Sequence, residues 1–269
     1  MQNIFDLTNE VAVVLGAGGA LAGAMSEGLA RAGARVALLD INTQQGEGRA
    51  AKINKEGGAA CFFSANAMQR QSLHQAHERI HEKLGPPTVL VNAVGGNNPK
   101  VTVTDEMPFE KILLENWKFN YDLNLVAGAL LPCQEFGAAM AQRKRGSIIN
   151  IASVSAHVPL SRVVAYSAAK AAVLNLTRFL AREWAPCKVR VNSITPGFFP
   201  AEQNRRLLFN EDGTPTSRTQ MILGHTPMGR FGEPEELVGA VTFLASERAS
   251  SFITGSDVRV DGGFLSQTI

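Results

Sequence analysis

The sequence predicts an α/β fold built on a doubly wound parallel sheet of about seven strands. Seven short runs rich in β-branched residues, each bounded by turn residues, alternate with Ala- and Leu-rich segments of helical periodicity. The strand runs are apolar at successive positions, which is typical of strands covered on both faces. Their alternation with helices favours a parallel sheet of the Rossmann type with helices on each side.

The predicted strands cover residues 11–15, 35–40, 59–64, 88–91, 147–152, 188–194 and 257–260. Helical spacing is clearest over residues 20–32, 69–84, 117–140, 163–184 and 234–245, and a further helix is expected to begin near Thr43. We find no linker or internal repeat, so residues 1–269 are expected to form one domain. The polar stretch 196–234, which contains several Pro and Gly residues, is expected to pass over the functional site as a binding loop.

Charge and hydropathy exclude several classes of protein. The 26 basic and 24 acidic residues leave a net charge of +2 with no long run of like charges, which argues against nucleic acid as a partner. The apolar runs end at glycines well short of the roughly 18–20 residues of a membrane span, and the first ten residues do not resemble a signal peptide. Cys61, Cys133 and Cys187 are odd in number and widely spaced, as expected for thiols of a cytoplasmic protein.

A glycine-rich turn follows the first predicted strand and leads at once into a helix. Its sequence from residue 16 to residue 23 is Gly-Ala-Gly-Gly-Ala-Leu-Ala-Gly. Glycines allow a tight turn and close approach to a ligand, while the free amides of the helix start favour a pyrophosphate. A simple helix-capping turn is the alternative, but the position at the first β–α junction favours a dinucleotide site that includes Gly16, Gly18, Gly19 and Leu21.

Asp40 ends the second predicted strand, about 20 residues after the glycines. An acid at this point can accept hydrogen bonds from the ribose hydroxyls of adenosine and would repel the 2′-phosphate of NADP. No Lys or Arg immediately follows it, so the predicted cofactor is NAD. The alternative is a surface aspartate that caps the helix beginning near Thr43.

Tyr166 and Lys170 are four residues apart and would project from the same face of a helix. A cation beside a phenol lowers the pKa of the phenol, which can then exchange a proton with a substrate oxygen. Ser153 follows a predicted strand, where its hydroxyl could hold a carbonyl oxygen next to that phenol. Asn124 is a polar residue in an apolar helical run, and it is either a satisfied core amide or part of this set. Together the four residues describe hydride transfer to or from a secondary alcohol without a metal.

The ordered combination of motifs resembles the short-chain dehydrogenase/reductase family over nearly the whole chain. The motifs are the glycine-rich turn, Asn92-Ala93-Val94-Gly95, Asn124, Ser153, Tyr166-x-x-x-Lys170, Pro196-Gly197 and Val260-Asp261-Gly262-Gly263.

The resemblance implies a role for each matching residue. Tyr166 would be the acid/base, Lys170 would hold the nicotinamide ribose, Ser153 would polarise the carbonyl and Asn124 would support a proton-relay water. Other cofactor contacts would come from Asn66, Ala67, Asn92, Ala93, Val94, Pro196, Gly197 and Phe199. The resemblance also implies a homotetramer assembled through helices at 117–140 and 163–184.

Four positions depart from the family pattern. Two of the usual glycines of the turn are Ala20 and Ala22, Asn66 replaces an aspartate, and Val94 replaces an alanine. The altered turn leaves open a second hypothesis, a non-catalytic dinucleotide sensor or scaffold.

Within the family, the segments 95–100, 196–205 and 225–234 resemble the branch of D-mannonate oxidoreductases, or fructuronate reductases. This implies reversible reduction of a keto-hexuronate, with gluconate/5-ketogluconate or another ketone as the alternative. A sugar acid needs hydrogen-bond partners and a cation, and arginine binds a carboxylate bidentately. The expected substrate residues are Asn97, Asn98, Lys100, Ser153, His157, Asn204 and Arg205. Arg205 could instead simply be solvated on a helix.

His74, His77 and His81 share one face of a predicted helix, a spacing that permits a metal clamp. A solvated polar face is the alternative. We favour it and expect no metal, because the chemistry described above does not require one.

Overall fold

The structure is a computed structural model that describes residues 3–200 and 208–267. Seven parallel strands form one sheet in the order β3-β2-β1-β4-β5-β6-β7. The strands are β1 (Val11–Leu15), β2 (Arg35–Asp40), β3 (Ala59–Ser64), β4 (Val89–Asn92), β5 (Gly146–Ile151), β6 (Val189–Pro196) and β7 (Asp257–Val260). The predicted fold class, a Rossmann-type sheet of seven strands flanked by helices, is confirmed.

Helices connect successive strands and cover both faces of the sheet. They are α1 (Ala20–Arg31), α2 (Thr43–Lys55), α3 (Arg70–Leu84), α4 (Leu114–Tyr121), α5 (Ala138–Arg143), α6 (Val164–Trp184), α7 (Ser217–Gly224), α8 (Leu237–Ala245) and α9 (Glu247–Ser250). In the part of the chain that the structure describes, none of the helices is long and apolar enough to cross a membrane.

Burial of β1 explains why its sequence is continuously apolar. Ala12 and Val14 point to one face of the sheet and pack in a core cluster with residues of α1 and α8. Val11, Val13 and Leu15 point to the other face and pack in a second cluster with residues of α3 and α6. Because successive side chains of a strand alternate between faces, a strand covered on both sides needs an apolar residue at every position.

The predicted boundaries differ from the observed ones by one or two residues at β4, β5 and β6. The largest difference concerns the helix predicted at 117–140, which runs from residue 114 to residue 143 and contains two π-helical segments, Asp122–Leu130 and Cys133–Gly137. A π segment widens the turn locally, and this is not visible in a 3.6-residue hydrophobic pattern.

The stretch 196–234 leaves the sheet after β6 and contains α7. It packs back on the turn that follows β7, since the backbone N–H of Met228 donates to the carbonyl of Gly262 at 3.1 Å. The N–H of Gly232 donates to the carbonyl of Phe198 at 2.9 Å, and this bond joins the beginning of the stretch to its end. This connection therefore extends along the carboxyl edge of β6 and β7.

Candidate active site

The strand order places a crevice at the carboxyl ends of β1 and β4. β1 pairs with β2 on one side and with β4 on the other, so the connections after β1 and β4 leave toward opposite faces of the sheet. Ligands of open α/β sheets bind at such a switch point. The glycine-rich turn after β1 and the Asn92-Ala93-Val94 segment after β4 face each other across this crevice.

The turn after β1 fits a dinucleotide pyrophosphate. Gly16 has a φ of +76°, and a Cβ on it would lie 3.0 Å from the carbonyl oxygen of Ala93, so the close approach of the two segments requires glycine. Gly19 is the N-cap of α1 and provides no capping side chain. The first amides of α1, including that of Leu21, are therefore available to an anion. The methyl group of Ala20 lies on the surface, and that of Ala22 is buried.

Asp40 connects the end of β2 to the glycine turn. One carboxylate oxygen accepts from the backbone N–H of Gly18 at 2.9 Å, and the other accepts from the N–H of Asn42 at 2.9 Å. The helix that follows is capped by Asn42, whose side chain accepts from the N–H of Gln45 at 3.1 Å. Asn42 therefore caps α2, which is the role that the alternative interpretation gives to Asp40. The carboxylate remains partly exposed beside the predicted pyrophosphate site.

Two other predicted cofactor residues have their side chains engaged within the protein. The Oδ1 atom of Asn66 accepts from the N–H of Met68 at 2.9 Å, and its neighbour Ala67 is buried. Asn92 is buried in the sheet and donates from Nδ2 to Oδ1 of Asn150 at 2.8 Å. Asn92 therefore joins β4 to β5, and its predicted place along the cofactor rests on its backbone and on Ala93 and Val94, which are partly exposed.

The predicted residues on the nicotinamide side follow β6. Pro196 is the last residue of the strand, where a missing N–H is tolerated. Gly197 donates its N–H to the carbonyl of Val260 at 2.9 Å, and a Cβ on it would lie 2.7 Å from the Cα of Asp261. Phe199 is buried at 5% exposure. The Pro196-Gly197 motif thus joins the turn after β6 to the turn after β7.

The structure brings Ser153, Tyr166 and Lys170 together at the carboxyl end of β5. The side chain of Ser153 interacts with the phenol of Tyr166, and its Oγ atom accepts from the backbone N–H of Ser155 at 3.2 Å. The Nζ atom of Lys170 lies 5.7 Å from the centre of the Tyr166 ring and donates to the carbonyl of Ile151 at 2.8 Å. Lys170 is 3% exposed and Tyr166 is partly exposed, so a ligand can reach the phenol while the ammonium is held beneath it.

The electrostatics of this group differ from the sequence-based expectation. Burial raises the pKa of Tyr166, and the hydrogen bond with Ser153 acts in the opposite direction. Burial also lowers the pKa of Lys170 to about 8. The net shift of the Tyr166 pKa in the protein without ligands is therefore upward, opposite to the expected lowering, because burial of the phenol is the largest contribution. At neutral pH Lys170 is still mostly protonated.

Asn124 lies in the first π-helical segment and holds the backbone after β4. Its Oδ1 atom accepts from the N–H of Gly96 at 2.9 Å, and Nδ2 donates to the carbonyls of Gly96 and Asn120 at 2.8 Å each. A Cβ on Gly95 would lie 2.5 Å from that Oδ1 atom and 3.3 Å from Nζ of Lys170. Asn124 is fully buried and has the contacts of a satisfied core amide, and it places the Gly95-Gly96 backbone next to Lys170.

Several predicted substrate residues are bonded to their own surroundings. Asn97 donates to Oγ1 of Thr102 at 2.6 Å, and Asn98 accepts from the N–H of Lys100 at 2.9 Å, which caps a short 3₁₀ turn. The side chain of Lys100 is exposed. Asn204 and Arg205 lie outside the residues that the structure describes.

His157 is directed at β7. Its Nε2 atom lies 3.2 Å from Oδ2 of Asp257 and 3.3 Å from Oγ1 of Thr195. Asp257 also accepts from the hydroxyls of Ser193 at 2.6 Å and of Thr195 at 2.8 Å. This ring nitrogen of His157 is therefore occupied, and the histidine connects the Ser153 loop to the last strand.

The histidines of α3 bind a glutamate. The Nδ1 atoms of His74 and His77 lie 3.1 Å and 2.9 Å from the same oxygen of Glu135, and His81 is not part of this contact. The nearby Glu135 carboxylate raises the pKa of His74. Among the described residues, no group of three or more His, Cys, Asp or Glu side chains could hold a metal ion.

Sequence reasoning missed residues that become neighbours only in the fold. They are Asn120, Ile151, Arg162, Arg218 and Asp257. Asn120 donates to the carbonyl of Gly96 at 3.0 Å and thus supports the same turn as Asn124. Its four-residue spacing from Asn124 was a usable signal, whereas the pairing of Asp257 with His157 has no local pattern.

Comparison with known proteins defines the family. The protein-family model described as Enoyl-(Acyl carrier protein) reductase matches residues 16–265 of this chain. The chain therefore belongs to the short-chain dehydrogenase/reductase family, whose members are oxidoreductases, and it is an oxidoreductase of the class that acts on CH-OH groups.

The relatives are similar over their full length. A Bacillus subtilis protein, called uncharacterized oxidoreductase UxuB, is 41% identical over 97% of this chain and 96% of its own. A Haemophilus influenzae structure with bound NAD, proposed to be a D-mannonate oxidoreductase, has a TM-score of 0.91 and 38% identity over 98% of this chain and 97% of its own. A gluconate 5-dehydrogenase from Burkholderia cenocepacia, in complex with NADP and tartrate, has a TM-score of 0.88 and 29% identity over 99% of both chains.

Proposed function

We propose that this protein is an NAD-dependent oxidoreductase that interconverts the secondary alcohol of a sugar acid and its ketone, with D-mannonate and D-fructuronate as substrates. The observation that carries the proposal is the meeting of Ser153, Tyr166 and Lys170 at the carboxyl end of β5. The similarity to the H. influenzae structure supports both the sugar acid and NAD.

The cofactor fits the crevice at the amino end of α1. The amides after Gly19 would bind the pyrophosphate, and the carboxylate of Asp40 would accept the ribose hydroxyls of the adenosine half. A 2′-phosphate at that position would face the negative charge of Asp40, so NAD is favoured over NADP. A bound nicotinamide dinucleotide supplies or accepts the hydride.

Tyr166 and Ser153 would handle the proton at the substrate oxygen. In the direction of reduction, the Tyr166 hydroxyl donates its proton to the oxygen as the carbonyl becomes an alkoxide; in oxidation, the phenolate removes it. The Ser153 hydroxyl donates a hydrogen bond to the same oxygen and orients it. Lys170, held by the carbonyl of Ile151, stabilises the phenolate because it remains a cation below a pKa of about 8.

A substrate screen tests this proposal. Keto-uronates, including D-fructuronate, and aldonates, including D-mannonate and D-gluconate, are assayed at the absorbance band of the reduced cofactor with NAD(H) and NADP(H) side by side. We expect the largest kcat/KM for D-fructuronate with NADH. Preference for 5-ketogluconate would support a gluconate 5-dehydrogenase, the activity of the B. cenocepacia neighbour.

The variant Tyr166→Phe separates catalysis from binding. It removes only the hydroxyl group, so NADH should bind as in the wild-type protein while turnover falls by about 10²–10⁴-fold, the usual contribution of a general acid or base. Full activity of the variant would exclude the mechanism. NADH binding by the wild-type protein with no turnover of any substrate would instead support the dinucleotide sensor.

A further inference from the structure

Two arginines from separate parts of the chain lie near each other in the segments that follow β5 and β6. Arg162 belongs to the loop between β5 and α6, and Arg218 is the second residue of α7. The Nη1 atom of Arg218 lies 3.2 Å from Oγ of Ser161, the residue directly before Arg162. The guanidinium group of α7 therefore lies against the segment that carries the other arginine.

Both arginines carry positive charges that no salt bridge neutralises among the described residues. Arg218 is partly buried; burial lowers its pKa, and the charge of Arg162 lowers the pKa further. The pKa of the exposed Glu106 is lowered mainly by hydrogen bonds with its own backbone amide and with Thr104. The charge of Arg162 makes only a minor contribution to this lowering. An anion bound between the partly buried Arg218 and the exposed Arg162 would relieve the repulsion between their like charges.

The backbone of Arg162 shows a second unusual feature. Its φ of +75° lies in the left-handed region, which is unfavourable for a residue other than glycine. The conformation is held by the N–H of Val103, which donates to the carbonyl of Arg162 at 2.9 Å. Such strain persists where the surroundings impose it and is concentrated at ligand sites. The same bond ties the segment after β4 to the loop after β5.

The position of the pair relative to Tyr166 fits a substrate group. Arg162 precedes Tyr166 by four residues, and the two are joined by the first turn of α6. The segments that meet at the arginines follow β4, β5 and β6, and the carboxyl ends of these strands also carry the Ser153–Tyr166–Lys170 group. A ligand with its reacting oxygen at Tyr166 would thus extend toward the loop and α7.

We propose that Arg162 and Arg218 together bind the carboxylate of the substrate. This inference deepens the proposed function and rests on it for the identity of the ligand. Guanidinium groups bind carboxylates through paired, charge-assisted hydrogen bonds, and two of them outweigh the binding energy of one surface cation. A carboxylate shared by the two side chains also holds α7 against the loop that leads into α6.

Binding in a non-reacting complex tests the inference directly. D-Mannonate and D-gluconate, and the neutral polyol D-mannitol as the matched uncharged ligand, are titrated calorimetrically into the protein saturated with NADH, which cannot oxidise them. The variants are Arg162→Gln and Arg218→Gln, and Arg31→Gln, at the exposed end of α1, is the charge-matched control. We expect Arg162→Gln and Arg218→Gln, the two cleft variants, each to weaken binding of the preferred aldonate at least tenfold while their affinity for D-mannitol stays within twofold of wild type. The control Arg31→Gln should bind both ligands within twofold of wild type.

The outcomes separate this inference from the proposed function. Wild-type protein that binds neither aldonate more tightly than D-mannitol overturns the inference, as do cleft variants that bind aldonates normally or lose aldonate and polyol alike. Charge-selective binding without turnover of any keto acid leaves the carboxylate site intact and overturns the proposed reaction. Arg218→Lys keeps the charge and should recover part of the lost affinity, which guards against a variant that merely misfolds.

Discussion

We expect the buried charge of Lys170 to destabilise the folded protein, although the proposed activity requires this residue. Its ammonium group is 3% exposed, and burial lowers its pKa from 10.5 to about 8. The unfolded chain therefore binds this proton more tightly than the folded protein does. At pH 7 the difference in pKa corresponds to a penalty of about 3 kcal/mol, since each pKa unit is worth about 1.4 kcal/mol.

Replacement by methionine, Lys170→Met, removes the buried charge and keeps the approximate volume. It also removes the hydrogen bond to the carbonyl of Ile151, which is worth about 1 kcal/mol. We therefore expect the free energy of unfolding at pH 7 to rise by about 2 kcal/mol while activity is lost. Urea denaturation at a fixed protein concentration, followed by circular dichroism, measures this difference.

The pH dependence provides a second, independent readout. A group with a lowered folded-state pKa that is cationic when protonated destabilises the protein below that pKa, and the penalty fades as the pH rises toward 10.5. The wild-type protein should therefore gain about 1 kcal/mol from Lys170 between pH 7 and pH 9, and Lys170→Met should lack this gain. A variant that is less stable at pH 7, with the same pH slope as the wild type, would refute the argument from desolvation.

Three further predictions concern single side chains. Asp40→Ala removes the negative charge beside the predicted ribose site, so the ratio of NADP to NAD affinity should rise at least tenfold in fluorescence titrations; an unchanged ratio contradicts the role of Asp40. His157→Phe and Asp257→Asn, alone and together, should give a coupling energy of about 1 kcal/mol in denaturation experiments, and additivity would show that their contact contributes nothing. Cys133 is fully buried and its pKa is raised to about 12, so iodoacetamide should leave it unlabelled in the native protein at pH 7.5 and label it only in denaturant.

The local sequence pattern was sufficient to predict the strands of the sheet and the grouping of Ser153, Tyr166 and Lys170. β1 is apolar over its whole length and β2 is apolar between Arg35 and Asp40, the charged residues at its ends, because burial on both faces demands an apolar residue at each buried position. Tyr166 and Lys170 could be paired from their spacing alone, since four residues return a helix to the same face. The meeting of Ser153 with Tyr166 also followed once Ser153 was placed at the carboxyl end of a parallel strand.

Contacts between distant segments could not be predicted in this way. Asp257, 100 residues after His157 in the chain, approaches that predicted substrate residue only because β7 pairs with β6. Asn92 was expected along the cofactor, yet its amide bonds to Asn150 on the neighbouring strand. The pKa of Tyr166 depends on how much water the surrounding side chains exclude, and neighbouring sequence positions do not reveal this.

The chain by itself determined the class of fold, the position of the glycine-rich turn and the residues suited to proton transfer, because these depend on periodicity and on spacing within single elements. The tertiary structure decided which polar groups are already bonded, in which direction burial shifts each pKa, and that Arg218 contacts the residue next to Arg162. Those properties depend on packing between elements far apart in sequence, where distance and desolvation are set by the whole fold.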